Sequence, residues 1–306
     1  MTTLRQMRFL VALADTGNFS RAAERSNVTQ STLSTGLKEL EARLGVTVAE
    51  RTTHSVLMTA EGSELVSRAR DILARVGDFE DFAKGVSQSG AMRIRLGAIP
   101  TVGPYLLPRA LPGIRAALPN VKIYLREELT DTLVSGLIEG RLDLILIALP
   151  HDLPAQVHTE LLFEDGYSLA TPRDHPLANL DNVTGDDLAG RDLLLLERGH
   201  CLQQHALSSV PGMPLEEDKE FSATSLPTLV SMVEEGLGVT LLPDMATDAG
   251  LTKGHDLRLS HLTGALPRRV ALGWRQSTAN AELFGRVAKA LKSARKSMLP
   301  ATEVEN

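Results

Sequence analysis

The chain has 306 residues, 43% hydrophobic and 23% charged, with a net charge of −6. That composition suits a folded chain with ample core and more than one domain, and its single cysteine excludes an internal disulfide and a cysteine-rich zinc site. No stretch approaches the roughly 18 consecutive apolar residues of a membrane span, and "MTTLRQMRFLVALADTGNFS" has neither the long apolar run nor the cleavage site of a secretory signal, so a cytoplasmic, reducing location without a membrane partner is expected.

Charge is unevenly spread. Residues 1–60 carry seven cations (Arg5, Arg8, Arg21, Arg25, Lys38, Arg43, Arg51) against five carboxylates (Asp15, Glu24, Glu39, Glu41, Glu50), a net +2 that leaves −8 on the remainder. A mildly basic head on an acidic body fits a nucleic-acid-binding domain at the N-terminus. Within it, Leu4, Met7, Val11 and Ala14 step by three and four and predict the core stripe of a first helix, ended by Gly17. Ser20 is the predicted N-cap of a short helix, "SRAAERSN". The chain then breaks at Asn27 and Val28, and Thr29 caps a third helix whose predicted buried stripe is Leu33, Leu37, Leu40 and Leu44.

The opposite face of that third helix carries Gln30, Ser31, Ser34, Thr35 and Lys38. Small hydroxyls and an amide near a helix N-terminus suit a recognition helix, which reads base edges and phosphates from the major groove. The plainer reading is a solvated face on an ordinary three-helix unit. After Gly45, "VTVAERTTHSVLMTAEG" predicts two short strands around Thr53 and His54, a wing that brings Arg51, Thr53 and His54 toward the minor groove.

From Ser63 to Lys84 there is no proline and one glycine, and Leu65, Ala69, Ile72, Val76, Phe79 and Ala83 form an a/d seam flanked by charge. It predicts a dimerising helix, with one helix packed on its own domain as the alternative. "GVSQSG", Gly85 to Gly90, reads as a hinge. The body then alternates strands and helices: "MRIRLGAIP", "VKIYLREELTDTLVSGLIEG", "RLDLILIALP", "GYSLATP", "DLLLLERG", "FSATSLPTLVSMVEEGLGVTLLP" and "RRVALGWR", closed by a helix from about Asn280 to Ser297. That order predicts a mostly parallel α/β sheet. Ligands in such sheets bind beyond the carboxyl ends of strands, which puts Thr101, Thr130, Thr224 and Ser225 around a cleft; each is equally readable as a plain N-cap.

The segment from Phe9 to Gly62 resembles the winged helix-turn-helix of LysR-type transcriptional regulators. The matching features are Ala22-Ala23, Gln30-Ser31-Thr32-Leu33-Ser34, Leu40-Glu41, Leu44-Gly45, Glu50-Arg51 and Thr59-Ala60-Glu61-Gly62. The body, with "GVTLLP" at 238–243, resembles the effector module of the same family. The resemblance implies a winged helix-turn-helix head (residues 1–62), a dimerising linker and hinge (63–90), and a periplasmic-binding-protein-like α/β module of two Rossmann-like subdomains (91–300). The first subdomain would span about 91–164 and 268–300, the second about 165–267, with a tail at 301–306. It further implies promoter DNA, RNA polymerase and further copies of the chain, as homodimer or homotetramer, as partners, with no enzymatic activity; no motif asks for a cofactor or a metal.

Three stretches are more specific. "IPTVGPYLLP" (99–108), "GHCL" (199–202) and "ATSLPTLVSMVEEGLGVTLLP" (223–243) resemble the OxyR-type hydrogen peroxide sensors. That resemblance implies that Cys201 is the peroxide-reactive thiol, that Thr101 and Thr130 orient peroxide, that His200 supports the thiolate, and that a strand-end arginine, matched to Arg275, completes the site. The chemistry requires a thiolate, which a neighbouring histidine, Arg198 or a helix N-terminus favours; attack on peroxide yields a sulfenic acid.

One departure stands out: the resolving cysteine of those sensors, about nine residues downstream, is Val210 here, and Gln203 and Gln204 replace an arginine and an aspartate common there. Either Cys201 stops at sulfenic acid or is capped by a small thiol or a second chain, or the scaffold serves another effector, or a cysteine was removed by engineering. The competing readings are a regulator of a small organic acid bound at Thr101, Thr130, Thr224 and Ser225; a cysteine-dependent enzyme using His200 or His205, which leaves the head unexplained; and a solute-binding protein, which the head and the missing signal oppose.

Overall fold

A computed structural model describes residues 1–51, 56–87, 92–188, 191–197 and 222–299. The chain divides into two compact units, Met1–Met92 with Ile138–Arg141, and Arg93–Leu137 with Leu142–Asn306.

The first unit opens with α1 (Leu4–Thr16). Thr3 and Gln6 close a reciprocal capping box at its start, and Gly17 ends it in the left-handed region at φ 57°. Its buried face is Gln6, Phe9, Leu10, Ala12 and Leu13. The predicted stripe was rotated: Leu4 is exposed, and Met7, Val11 and Ala14 are only half-buried, because the aromatic ring of Phe9 fills the space against α3 that the aliphatic pattern assigned to its neighbours. A Cβ on Gly36 would lie 2.9 Å from that ring, so the glycine is what lets the two helices approach.

The short helix α2 (Phe19–Arg25) is capped by Asn18, which accepts from the Ser20 and Arg21 amides. Ser20 therefore lies inside the helix, two residues past the true cap; asparagine is as good a cap as serine and stands two residues earlier. Asn27 takes a positive φ of 52° to turn the chain. Thr29 caps α3 (Gln30–Leu44) as predicted, and Leu33, Leu37 and Leu40 are buried. Leu44 is not: at the last turn it is 42% exposed. β1 (Ala49–Arg51) and β2 (Val56–Met58) pair antiparallel, Arg51 opposite Val56; Thr53 and His54 lie outside the described residues.

The long helix α4 begins at Ala60 rather than Ser63 and runs to Ser87, so Gly85, Val86 and Ser87 are helical rather than part of a hinge. Its first turns are not a free seam. Leu65 packs on a core of Phe9, Leu10, Leu13, Leu33, Leu37 and Leu40 that Val66 and Ala69 complete. Further along, Ile72 is 40% exposed and Phe79 72% exposed.

The second unit contains two sheets. One has five strands in the order β4-β3-β5-β13-β6, formed by Met92–Ala98 (β3), Val121–Glu127 (β4), Leu144–Leu149 (β5), Val157–Asp165 (β6) and Arg268–Arg275 (β13). The other has six, in the order β10-β9-β11-β7-β12-β8, drawn from Tyr167–Pro172 (β7), Asn182–Val183 (β8), Leu193–Leu196 (β9), Ser222–Ala223 (β10), Val239–Pro243 (β11) and Leu257–Leu262 (β12). Helices Gly103–Ala117 (α5), Thr130–Ile138 (α6), Leu226–Glu234 (α7), Asp244–Asp248 (α8) and Ala281–Lys296 (α9) complete it.

Both sheets are mostly parallel, as element order predicts, and each is interrupted by one reversed strand, β13 in the first and β7 in the second. β3 and β5 run parallel, but β13 enters between β5 and β6 antiparallel to both. In the other sheet β7 is antiparallel to β11 and β12. The chain passes between the sheets twice, at Gly166 and again between Leu262 and Arg268, and the strand that begins after each crossing, β7 or β13, is the reversed one. The cores are aliphatic. Leu144 to Ala148 on β5 are fully buried, and Tyr167, Leu169, Leu193, Leu226, Leu229, Val230 and Leu241 pack the second.

Candidate functional site

On the first unit, α3 presents Gln30, Ser31, Thr35 and Lys38 to solvent, with Ser34 half-buried. The helix start is held by local hydrogen bonds. The Ser20 hydroxyl donates to Gln30 Oε1 at 3.0 Å, the Ser31 and Thr29 hydroxyls are 2.9 Å apart, and the Thr32 amide donates to Thr29. Gln30 therefore spends its oxygen within the protein and keeps its amide hydrogens for an outside acceptor. Arg51 is placed by its backbone in β1.

On the second unit, the four hydroxyls named from the sequence separate into two kinds. Ser225 is an N-cap: its side chain accepts from the Thr228 amide and lies 2.9 Å from the Thr228 hydroxyl. Thr224 beside it is exposed. Thr101 and Thr130 are different. Both are buried. α5 has no side-chain cap, so Thr101 is not serving as one. The Thr130 hydroxyl has no hydrogen-bond partner among the described residues, which is costly for a buried polar group unless a ligand or water supplies one. The two follow the carboxyl ends of β3 and β4, which run side by side: the Glu128 amide donates to the Ala98 carbonyl.

Thr101 is engaged by an arginine that sequence reading missed. Arg268 Nη1 donates to Thr101 Oγ1 at 2.9 Å and Nη2 to the Thr101 carbonyl at 3.1 Å. The same guanidinium grips Asp165 Oδ2 through Nε at 3.0 Å and Nη2 at 2.8 Å. Both charged side chains are wholly shielded from solvent. Asp165 Oδ1 in turn accepts from the Met245 amide at 2.8 Å. An arginine only donates; since it donates to Thr101 Oγ1, the threonine hydroxyl must direct its own hydrogen elsewhere. The edge thus offers one fixed donor and one buried hydroxyl able to donate or accept.

Arg275, the arginine matched from sequence, is not brought to these threonines. Its Nη1 donates to the carbonyls of Leu137 and Leu142 at 2.8 and 2.6 Å, and its Nη2 lies 3.7 Å from Asp143. It stands at the far end of β13 from Arg268, about 20 Å away along an eight-residue strand. Because β13 is antiparallel to β5, its first residue and not its last reaches the carboxyl edge of β3 and β5. His200, Cys201 and Val210 lie outside the described residues; the last described residue before them, Glu197, donates its amide to the Ala223 carbonyl.

Two titrating groups flank this region. Burial, with the Glu127 carboxylate adding to it, pushes the Tyr105 hydroxyl up to about 12, so it keeps its proton. Burial also raises the Asp244 carboxyl above its ordinary value, opposed by the Ser168 hydrogen bond and reinforced by nearby Asp165. No three histidine, cysteine or acidic side chains converge to hold a metal among the described residues, and no described helix is long and apolar enough to cross a membrane.

Comparison with known proteins agrees with this architecture. Residues 4–63 match the bacterial regulatory helix-turn-helix protein family, lysR type, and residues 87–296 match the LysR substrate binding domain. The HTH-type transcriptional regulator EstR from Acinetobacter baylyi is 38% identical over 279 residues, 91% of this chain and 92% of that protein. The DNA-binding transcriptional dual regulator OxyR from Escherichia coli is 37% identical over 290 residues, 95% of each. Among solved structures, full-length OxyR from Pseudomonas aeruginosa, a cysteine-to-aspartate variant, superposes with a TM-score of 0.68 at 33% identity, covering 95% of this chain and 98% of that one. With a reading head, a linker helix and a two-sheet effector module all accounted for, the chain belongs to the LysR family of transcriptional regulators.

Proposed function

We propose that this regulator senses hydrogen peroxide through Cys201 and couples its oxidation to promoter binding. The observation that carries this reading is the composition of the buried edge. Two hydroxyls, Thr101 and Thr130, are buried there without serving as caps, and among the described residues the cation that touches Thr101, Arg268, is already neutralised by Asp165. A carboxylate effector needs an uncompensated cation to repay its desolvation. Peroxide is small and neutral, and donates and accepts, so it suits one fixed donor and one adaptable hydroxyl. The organic-acid alternative, at Thr101, Thr130, Thr224 and Ser225, finds no such cation among the described residues and would use Ser225, whose oxygen already caps a helix.

In the proposed reaction the Cys201 thiolate attacks one peroxide oxygen. The S–O bond forms as the O–O bond breaks, sulfur is oxidised to sulfenic acid, and hydroxide departs to become water by taking a proton. Thr101 donates to the departing oxygen and His200 favours the thiolate. Arg268, by its contact with Thr101, takes the part first assigned to Arg275. With valine at 210, the sulfenic acid persists or is capped by a small thiol or a second chain. The organisation is a head at 1–62, a linker at 63–90 and a module at 91–300. Paired heads read DNA with Gln30, Ser31, Ser34, Thr35 and Lys38 in the major groove and Arg51, Thr53 and His54 at the wing. Ile72 and Phe79 of α4 supply apolar surface for a homodimer or homotetramer, which works on RNA polymerase in the cytoplasm.

The test is chemical. Brief peroxide exposure followed by a sulfenic-acid probe and peptide mass spectrometry labels Cys201 in the parent and nothing in Cys201→Ser. An unlabelled Cys201, with an organic acid that raises the melting temperature, would instead establish the metabolite reading.

A further inference from the structure

We infer that Asp165 is a positioning residue of the peroxide site, acting through Arg268 to fix the direction in which Thr101 donates its hydrogen. This rests on the peroxide reading above.

A threonine hydroxyl rotates, and as an isolated group it is as ready to accept from a ligand as to donate to one. At Thr101 the choice is made by Arg268, whose Nη1 hydrogen occupies Oγ1 at 2.9 Å. Arg268 is not itself free to swing. Asp165 Oδ2 takes both Nε and Nη2, and Nη2 also reaches the Thr101 carbonyl, so the guanidinium plane is pinned at three points. The carboxylate is pinned as well, by the Met245 amide on Oδ1. Each donation along this line has a fixed sense, Met245 and Arg268 both donating to Asp165 and Arg268 donating on to Thr101, so the first polarity able to rotate is the Thr101 hydroxyl, whose hydrogen must turn away from Arg268.

Three elements meet to build it. Asp165 is the last residue of β6, Arg268 the first of β13, and Met245 lies in α8. Among the described residues Asp165 reaches Thr101 only through Arg268, so its contribution is orientation. Such preorganised donors accelerate a step when charge develops on the oxygen they face. Peroxide cleavage develops charge on the departing oxygen, so the loss of orientation slows that reaction and leaves a displacement that does not use Thr101 untouched.

The experiment uses the full chain and two probes of Cys201, hydrogen peroxide and iodoacetamide. Alkylation by iodoacetamide expels iodide and needs no donor at Thr101. In Asp165→Asn the second-order rate with peroxide is expected to fall by about tenfold, the worth of one oriented hydrogen bond, while the iodoacetamide rate does not fall. Thr101→Val should slow peroxide comparably, and the double variant should be no slower than Thr101→Val alone, since both changes remove one contribution. If Asp165→Asn does not fold, Asp165→Glu keeps the charge pair but displaces the guanidinium by a methylene, and should slow peroxide by at least about threefold. Peroxide rates within about twofold of the parent in the folded variant, parallel slowing with both probes, or additive effects with Thr101→Val each overturn the assignment. A parent whose Cys201 reacts with peroxide no faster than free cysteine overturns the peroxide reading and this inference with it. A fast parent with indifferent Asp165 variants overturns the inference alone.

Discussion

Replacing Arg268 with methionine tests the energetic side of the buried edge. The change keeps much of the side-chain length and removes the hydrogen bonds to Asp165 Oδ2, the Thr101 hydroxyl and the Thr101 carbonyl. Asp165, with no solvent access, then keeps the Met245 amide alone among the described residues. Removing one partner of a buried pair costs about 3–5 kcal/mol, because the remaining charge is left without compensation. For a unit of this size each kcal/mol is worth roughly 2–4 °C in melting temperature, so the calorimetric transition of the effector module should fall by about 10 °C. The loss should barely respond to added salt, since ions do not reach a buried pair. Adding Asp165→Asn to Arg268→Met should restore most of it: asparagine is uncharged, and its Oδ1 still accepts from Met245. A single variant melting within about 2 °C of the parent, or a double variant less stable than the single, would refute the reasoning.

Three further outcomes are expected. Lys38→Ala should weaken binding to promoter and random duplexes alike, and lower the slope of log affinity against log salt by about one in fluorescence anisotropy; a change confined to one base position would instead mark Lys38 as a base reader. Asn18→Ala should cost about 1 kcal/mol of stability in denaturant titrations and Ser20→Ala less than about 0.5 kcal/mol, since the first is the cap and the second a helical residue on the surface. The Asp244 carboxyl is raised above its unfolded value of 3.8 by burial, so its ionised form costs stability at neutral pH, and that cost is relieved as pH falls through the folded pKa. Melts of the parent and Asp244→Asn at pH 7 and about pH 4.5 should therefore show the parent gaining on the variant at the lower pH; an unchanged or opposite difference counts against the burial argument.

Much of the head is legible from local pattern alone. Thr29 as a cap and Leu33, Leu37 and Leu40 as a stripe follow from spacing and hydrogen-bond chemistry within one helix, and the structure agrees on all four. Where the reading slipped, the missing information was tertiary. The α1 stripe turned because Phe9 fits against Gly36, and Leu65 and Ala69 of the linker pattern turned inward because α4 first packs on the head's own core. At the effector edge one topological fact decided the outcome. "RRVALGWR" has arginine at both ends, and in a parallel sheet the last would lie at the ligand edge. Strand direction is not written in alternation; the resemblance pointed to Arg275, and the reversed course of β13 brings Arg268 to that edge instead. A faint signal existed: an arginine pair opening a strand whose interior is apolar calls for a carboxylate partner, and Asp165 closes β6 directly opposite Arg268.

The place of β13 also orders events as the chain is made. All six strands of the second sheet come from residues 167–262, so that lobe has its full complement before the first lobe does. β5 and β6 share no ladder of their own; each is zipped to β13. Until Arg275 has left the ribosome, the earlier-synthesised lobe therefore waits with an open seam while the later-synthesised one already has its strands.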